Sequence, residues 1–158
     1  MYKIRTSIDE KQEAGSQRIT DNRALHMHGV AEYMYEHAKD YELNPEDMFL
    51  LGWLHDVGYI YQDGDHAELG EKLLNRNHYP LLYSTAIAAH SDELEKKAHV
   101  SKELQLLVEA DMHVSSITGK RVPYDQRLRE IAVKHGRDSE VYRRCESNIT
   151  FLRRNERP

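Results

Sequence analysis

The spacing of apolar residues predicts an all-α fold, a single helical bundle of about six to seven helices. Apolar residues recur at intervals of three and four along almost the whole chain, the period of helices with one buried face rather than of half-buried strands. Helix start signals precede most of these stretches. No internal repeat, low-complexity tract or Gly/Ser/Pro-rich linker divides them, so residues 20–158 are expected to form one domain. Residues 1–19 have mixed composition and no clear period, and are expected to form an N-terminal arm. With 158 residues the domain is large enough to stand without disulfides, since a fold of this size buries roughly 70% of the surface its unfolded chain exposes.

The first helix is expected from Asn22 to Lys39, capped by Thr20 or Asp21, with His26, Val30, Tyr33, Met34 and His37 facing inward. The second has Asn44 as cap, Pro45 at its first position, and Glu46 and Asp47 at the positive end of the dipole. Its inward residues are Met48, Leu51 and His55, and Gly58 marks its stop. The turn Asp63-Gly64-Asp65 leads into a third helix through Asn77, with His66, Leu69, Gly70, Leu73 and Leu74 inward. Pro80 opens a fourth that ends near His90. Ser101 caps a fifth, whose stripe is Leu104, Leu107, Val108, Asp111 and Val114. After a break from Gly119 to Pro123, helices over Tyr124–His135 and Ser139–Arg153 complete the chain, with Gly136 between them.

Composition narrows the classes of function. At 39% hydrophobic and 31% charged, with a mean hydropathy of -0.79, the chain reads as an ordinary globular protein. Its longest apolar run, Met48 to Leu54, is far short of the ~18 residues of a membrane span. The opening MYKIRTSIDE carries charge where an export signal has its apolar segment, which predicts a cytoplasmic location. A net charge of -5 and a pI of about 6.0 argue against a general nucleic-acid binder. A single cysteine, Cys145, excludes an internal disulfide and a thiolate metal cage, and its apolar neighbours mark it as a buried, inert thiol. The chain has ten histidines, which brings metal and proton chemistry into view.

Four inward stripes contain residues that a plain core would not: His26, His55 followed by Asp56, His90, and Asp111. A buried carboxylate is costly unless it is paired or ligates a metal, and no Lys or Arg lies one turn from Asp111 on its face. Asp56 falls at the negative end of a helix, which makes its burial costlier still. A bound divalent cation resolves both, and the helix stop frees Asp56 from the angular offset that would separate it from His55. Nitrogen and oxygen ligands without thiolate suit Fe, Mn, Co or Zn in a catalytic rather than a structural site. Ligands on separate helices are how helix bundles build such centres. His28 lies about 200° around the helix from His26, on the exposed side or behind the ligands. His37 is expected in the core and His113 close behind Asp111. His78, His99 and His135 have no matching context.

The segments RALHMHGVAEYM, FLLGWLHDVGYI and LLVEADMHV, in this order, resemble the HD superfamily of metal-dependent phosphohydrolases, over about Arg23 to Arg129. The resemblance implies an HD-domain bundle with His26, His55, Asp56 and Asp111 as metal ligands. DHAELGEKLL and IAAHSDEL are further similar to the branch that binds two ions, with His66 and His90 on the second ion and Asp56 as the bridge. The His-x-x-x-Gly step and the Ala-Asp before an arginine-bearing loop are similar to the bacterial HD-type dinucleoside tetraphosphate hydrolases. The implied reaction is hydrolysis of a phosphate ester or anhydride of a nucleotide by a hydroxide bridging two divalent ions. Fe or Mn is favoured, Co, Zn and Ni are compatible, and Asp56 and Asp111 are the expected catalytic carboxylates.

The chain departs from many HD enzymes in one respect. Tyr59 stands where they have a lysine that handles the phosphate; Lys120 and Arg121, in the loop after Asp111, could supply the missing cation, although the sequence favours a solvated surface loop for them. The expected partner is a small phosphate substrate, with no nucleic acid, no membrane and a homodimer left open. Two alternatives share the ligand set: a di-iron oxygenase of the HD type, and a non-catalytic regulatory module that binds metal or nucleotide. A purely structural helical protein would bind no metal.

Overall fold

A computed structural model describes residues 19–61 and 63–156. The expected arm, residues 1–19, lies outside the described residues except for Ile19. Among the described residues there are seven α-helices: α1 (Asp21–His37), α2 (Pro45–Leu54), α3 (His66–Arg76), α4 (Leu81–Ala89), α5 (Lys102–Met112), α6 (Tyr124–His135) and α7 (Glu140–Arg154). Short 3-10 turns follow α1 at Ala38–Tyr41, α2 at Val57–Ile60 and α4 at Leu94–Lys96. The all-α expectation holds. Among the described residues the one β-like feature is an isolated bridge between Val114 and Arg121.

Side-chain caps fix most helix starts. Thr20 Oγ1 accepts from Arg23 N–H, Asn44 Oδ1 from Asp47, Asp65 Oδ1 from Ala67, Ser101 Oγ from Leu104 and Ser139 Oγ from Tyr142, each satisfying an amide that the helix itself leaves unpaired. The first cap is thus Thr20, with Asp21 already helical. α2 stops at Leu54, four residues before the expected Gly58, and a 3-10 turn takes over. That early stop is what separates His55 and Asp56 from the helix.

Two apolar clusters share α5. Its Leu106, Leu107 and Ala110 join α1, α2, α3 and α4 around Val30, Met34, Leu51, Leu54 and Ile87. Its Leu104, Val108 and Met112 join α6 and α7 around Tyr124, Ile131, Ile149 and Leu152. Asp111 lies at the seam between these faces. α1 and α2 approach closely at Gly52, where a Cβ would stand 2.8 Å from Ala31 Cα. At Gly58 a Cβ would overlap the His66 carbonyl, so glycine there lets the first turn of α3 settle on the Val57–Ile60 turn. His37 is not core: its side chain is half-exposed, stacks on Tyr33 and pairs with Asp40 at 3.2 Å, because the helix ends at that residue. No helix among the described residues is long and apolar enough to cross a membrane.

Candidate metal centre

The helix ends position the ligand candidates. His55 is the C-cap of α2 and His90 the C-cap of α4. Each ring donates its Nδ1–H to the carbonyl three residues back, His55 to Gly52 at 2.7 Å and His90 to Ile87 at 2.6 Å. One bond therefore satisfies a terminal helix carbonyl and fixes the ring with Nε2 as the free lone pair. His26, buried on α1, sets its Nδ1 3.3 Å from the Ser115 carbonyl and its Nε2 2.8 Å from Asp111 Oδ1. His66 opens α3 beside His90, with their Nε2 atoms 3.2 Å apart.

Asp56 is the hinge of the arrangement. Its Oδ2 stands 3.1 Å from His55 Nε2 and 3.8 Å from His26 Nε2. Its Oδ1 faces the other way, 3.5 Å from His66 Nε2 and 3.4 Å from His90 Nε2. Two groups have ligand atoms mutually close enough to hold one ion each: His26, His55 and Asp111, and His55, Asp56 and His90. His66 belongs to neither and reaches only Asp56 and His90. His55 Nε2 is fully buried and makes no hydrogen bond among the described residues, an orphaned nitrogen aimed between two carboxylates. Imidazole and carboxylate donors without thiolate suit a catalytic divalent transition metal, so the residues present fit such ions.

The electrostatics are those of a cation site. Burial alone would raise both carboxyls. The nearby His55, His90 and Arg23 hold Asp56 well below the carboxylate range, and His26 and His55 do the same for Asp111. Burial would lower His55, but Asp56 and Asp111 carry it up to about 10. Burial, reinforced by His90 and His55, takes His66 down to about 4 despite the attraction of Asp56, which leaves its ring neutral at ordinary pH.

Two arginines change the sequence-based picture of Asp56 and Asp111 as carboxylates without a cationic neighbour. Arg23 donates from Nη1 to Asp56 Oδ2 at 2.9 Å. Arg127, from α6, donates from Nε to the Asp111 carbonyl at 3.0 Å and sets Nη2 3.6 Å from the Asp111 carboxylate. Arg23 lies three residues before His26 on one helix face, a signal that was legible. Arg127 reaches Asp111 only because α6 folds back, which no local pattern announces.

A cavity of about 270 Å3 opens over the centre. Asp56, His66, His90 and Asp111 line it, while the fully buried His26 and His55 lie behind them. Its remaining wall carries the cations Arg23, Arg127, Lys134 and Arg144 beside Glu130, polar and apolar side chains, and His135, whose ring burial and the nearby cations hold toward its neutral form. The sequence reading left Lys134, His135 and Arg144 without a role. Tyr59 does line the cavity, stacked on His66 at 4.3 Å with the Arg23 guanidinium 4.0 Å from its ring centre. Lys120 and Arg121 do not. Ser115 N–H donates to the Lys120 carbonyl, and the Val114–Arg121 bridge closes the loop so that Arg121 pairs with Glu36 at 2.7 Å, away from the cavity. His113 is also away from it, stacked between Tyr33 and Tyr124. His28 is exposed and pairs with Glu32. Cys145 is buried as expected, with burial pushing its thiol up, and it forms part of the cavity wall.

Fold and site together define an all-α protein with a His/Asp cluster gathered from separate helices under a cationic cavity. The HD domain family model matches residues 23–114, more than half of the chain, and the chain belongs to the HD domain family. The chain is also similar to proteins named Ribonuclease Y from Lactobacillus gasseri and Lactobacillus johnsonii, 37% identical to each over 73 residues. That stretch is 44% of this chain and only 13% of each of those proteins. No solved structure matches significantly.

Proposed function

We propose that the chain hydrolyses a phosphate ester or anhydride of a nucleotide at a centre of two divalent ions. One observation carries this reading: the two oxygens of Asp56 face opposite histidine pairs beneath a cavity walled by arginines. His26, His55 and Asp111 would hold one ion, His66 and His90 the other, with Asp56 shared. Fe or Mn suits this donor set best, and Co, Zn and Ni are compatible. Bound there, such ions lower the pKa of water and neutralise charge on phosphoryl oxygens.

The chain's own groups supply the rest. Arg23 and Arg127 line the cavity next to the carboxylates, where their guanidinium groups can orient non-bridging phosphate oxygens. The Tyr59 ring limits where Arg23 can swing, so Tyr59 serves as a wall rather than a cation. Burial and the nearby Asp56 raise the Tyr59 hydroxyl, so it stays a neutral donor. The relatives named as ribonucleases support this class of bond, because cleaving RNA breaks a phosphate ester.

Nucleotide hydrolysis by protein reloaded with Mn or Fe, followed by phosphate release, tests the reading. Asp111→Ala is expected to abolish turnover and reduce bound metal while the far-ultraviolet circular dichroism stays helical. Full activity in that variant, or oxygen uptake without phosphate release in the iron-loaded protein, would contradict it.

A further inference from the structure

The cavity over the centre is too small for a whole nucleotide. At about 270 Å3 it takes a phosphoryl group and its immediate neighbour, below the roughly 300–1,000 Å3 of sites that enclose a drug-sized ligand. It adjoins a wider groove of about 720 Å3 through shared walls at Ser91, Val141 and Arg144. A group beyond the reacting phosphate can extend along that groove.

Two cations of the cavity wall, Lys134 and Arg144, are not neutralised. Arg23 pairs with the Asp56 carboxylate at 2.9 Å and Arg127 with that of Asp111 at 3.6 Å, so each is partly neutralised. Lys134 has no ion-pair partner within 4.0 Å among the described residues, and neither has Arg144, whose recorded contact is the Cys145 sulfur at 3.9 Å. The groove's own Lys96 and Lys97 are matched by Glu93 and Asp92, so they add little free charge. Burial and the proximity of Arg23 and Arg127 lower the Lys134 pKa against a smaller opposing pull from Asp56, as expected of cations crowded together. The crowding is built into the fold: α7 is tied to the segment after His90 by Asn148, which donates to the Asp92 carbonyl at 3.0 Å and accepts from Leu94 N–H at 2.9 Å. Lys134 and Arg144 lie beyond the family match at 23–114, so this part of the wall is added by the C-terminal helices.

We propose that Lys134 and Arg144 form a second anion position that holds the phosphate linked by an anhydride to the one being cleaved. This rests on the reading of the centre as a phosphohydrolase and makes Lys134 and Arg144 specificity-determining residues for substrates with adjoining phosphates. Charges crowded around one small cavity match the dense charge of an anhydride chain better than the spaced charges of nucleic acid, and the chain's net charge of -5 points the same way.

Binding to the metal-free protein tests the position independently of catalysis. Inorganic tripolyphosphate and orthophosphate are titrated by calorimetry into wild type, Lys134→Gln, Arg144→Gln and the double variant, with helicity checked for each. Wild type is expected to prefer tripolyphosphate. The double variant should lose that preference by about tenfold or more, the scale of one or two charge-assisted contacts, and Lys134→Arg should keep most of it. In Mn-loaded enzyme, the ratio of kcat/KM for a nucleoside triphosphate to that for bis(p-nitrophenyl) phosphate should fall by a similar factor. Equal losses for both anions, no loss, or weakening for a short oligoribonucleotide but not for tripolyphosphate would overturn the proposal. Absence of all phosphate turnover in wild type would instead remove the phosphohydrolase reading, while the metal-free titration still decides whether the anion position exists.

Discussion

His90 holds its ring by one bond to the Ile87 carbonyl and presents Nε2 to Asp56 Oδ1 and to His66. His26 and Asp111 lie on the other side of Asp56. A His90→Ala variant is therefore expected to lower metal content from two ions per chain to one and to leave the fold intact, as read by plasma mass spectrometry and circular dichroism. Loss of both ions, or of neither, would show that Asp56 does not divide the site in two. At this scale much of the site was legible. His26, His55, Asp56, His90 and Asp111 each break an apolar stripe, and the structure brings all five together. His66 was visible only through resemblance, and it stands at the edge of the cluster. The place of Lys134 and Arg144 in the cavity wall was not legible, because they carry no local signature and come near Asp56 only through tertiary folding.

Among the elements, the turn after α2 decides where α3 begins. Gly58 packs against the His66 carbonyl and the Gly70 amide so tightly that a methyl group cannot fit without moving α3. Gly58→Ala is expected to destabilise the fold by about 1–3 kcal/mol in urea unfolding. It should also weaken binding of the ion assigned to His66 and His90 more than that of the other ion, since His66 rides on the displaced turn. An unchanged midpoint and unchanged metal content would contradict this packing. Gly58 had been read from sequence as a helix stop. The helix stops earlier because the backbone leaves the helical path at Asp56, just after the His55 C-cap, and the glycine serves close approach instead. The loop from His113 to Pro123 misled for a related reason. Its position after Asp111 suggested that Lys120 and Arg121 face the site, but its internal hydrogen bonds turn Arg121 toward Glu36 on α1.

For the whole molecule, the caps at Thr20, Asn44, Asp65, Ser101 and Ser139 made the helix order readable, since each is a local signal with a local cause. The docking of α6 and α7 on the far face of α5 was not readable, because it depends on which of two apolar faces meets which partner. That docking also brings Arg127 to Asp111, so the buried carboxylates have partners even without an ion. Chelation is accordingly expected to lower the melting temperature without unfolding the protein. An ion at 100 times its Kd adds about 2.7 kcal/mol, or roughly 5–10 °C for a domain of this size. Complete unfolding on chelation, or no shift at all, would contradict this balance.

The central claim is a pair of ion positions divided by the Asp56 carboxylate, and the most direct test is metal content per chain after reloading with Mn or Fe and removing excess ion. The account predicts two equivalents in wild type. One equivalent would place His66 and His90 outside the metal shell, and none would contradict the metal centre itself.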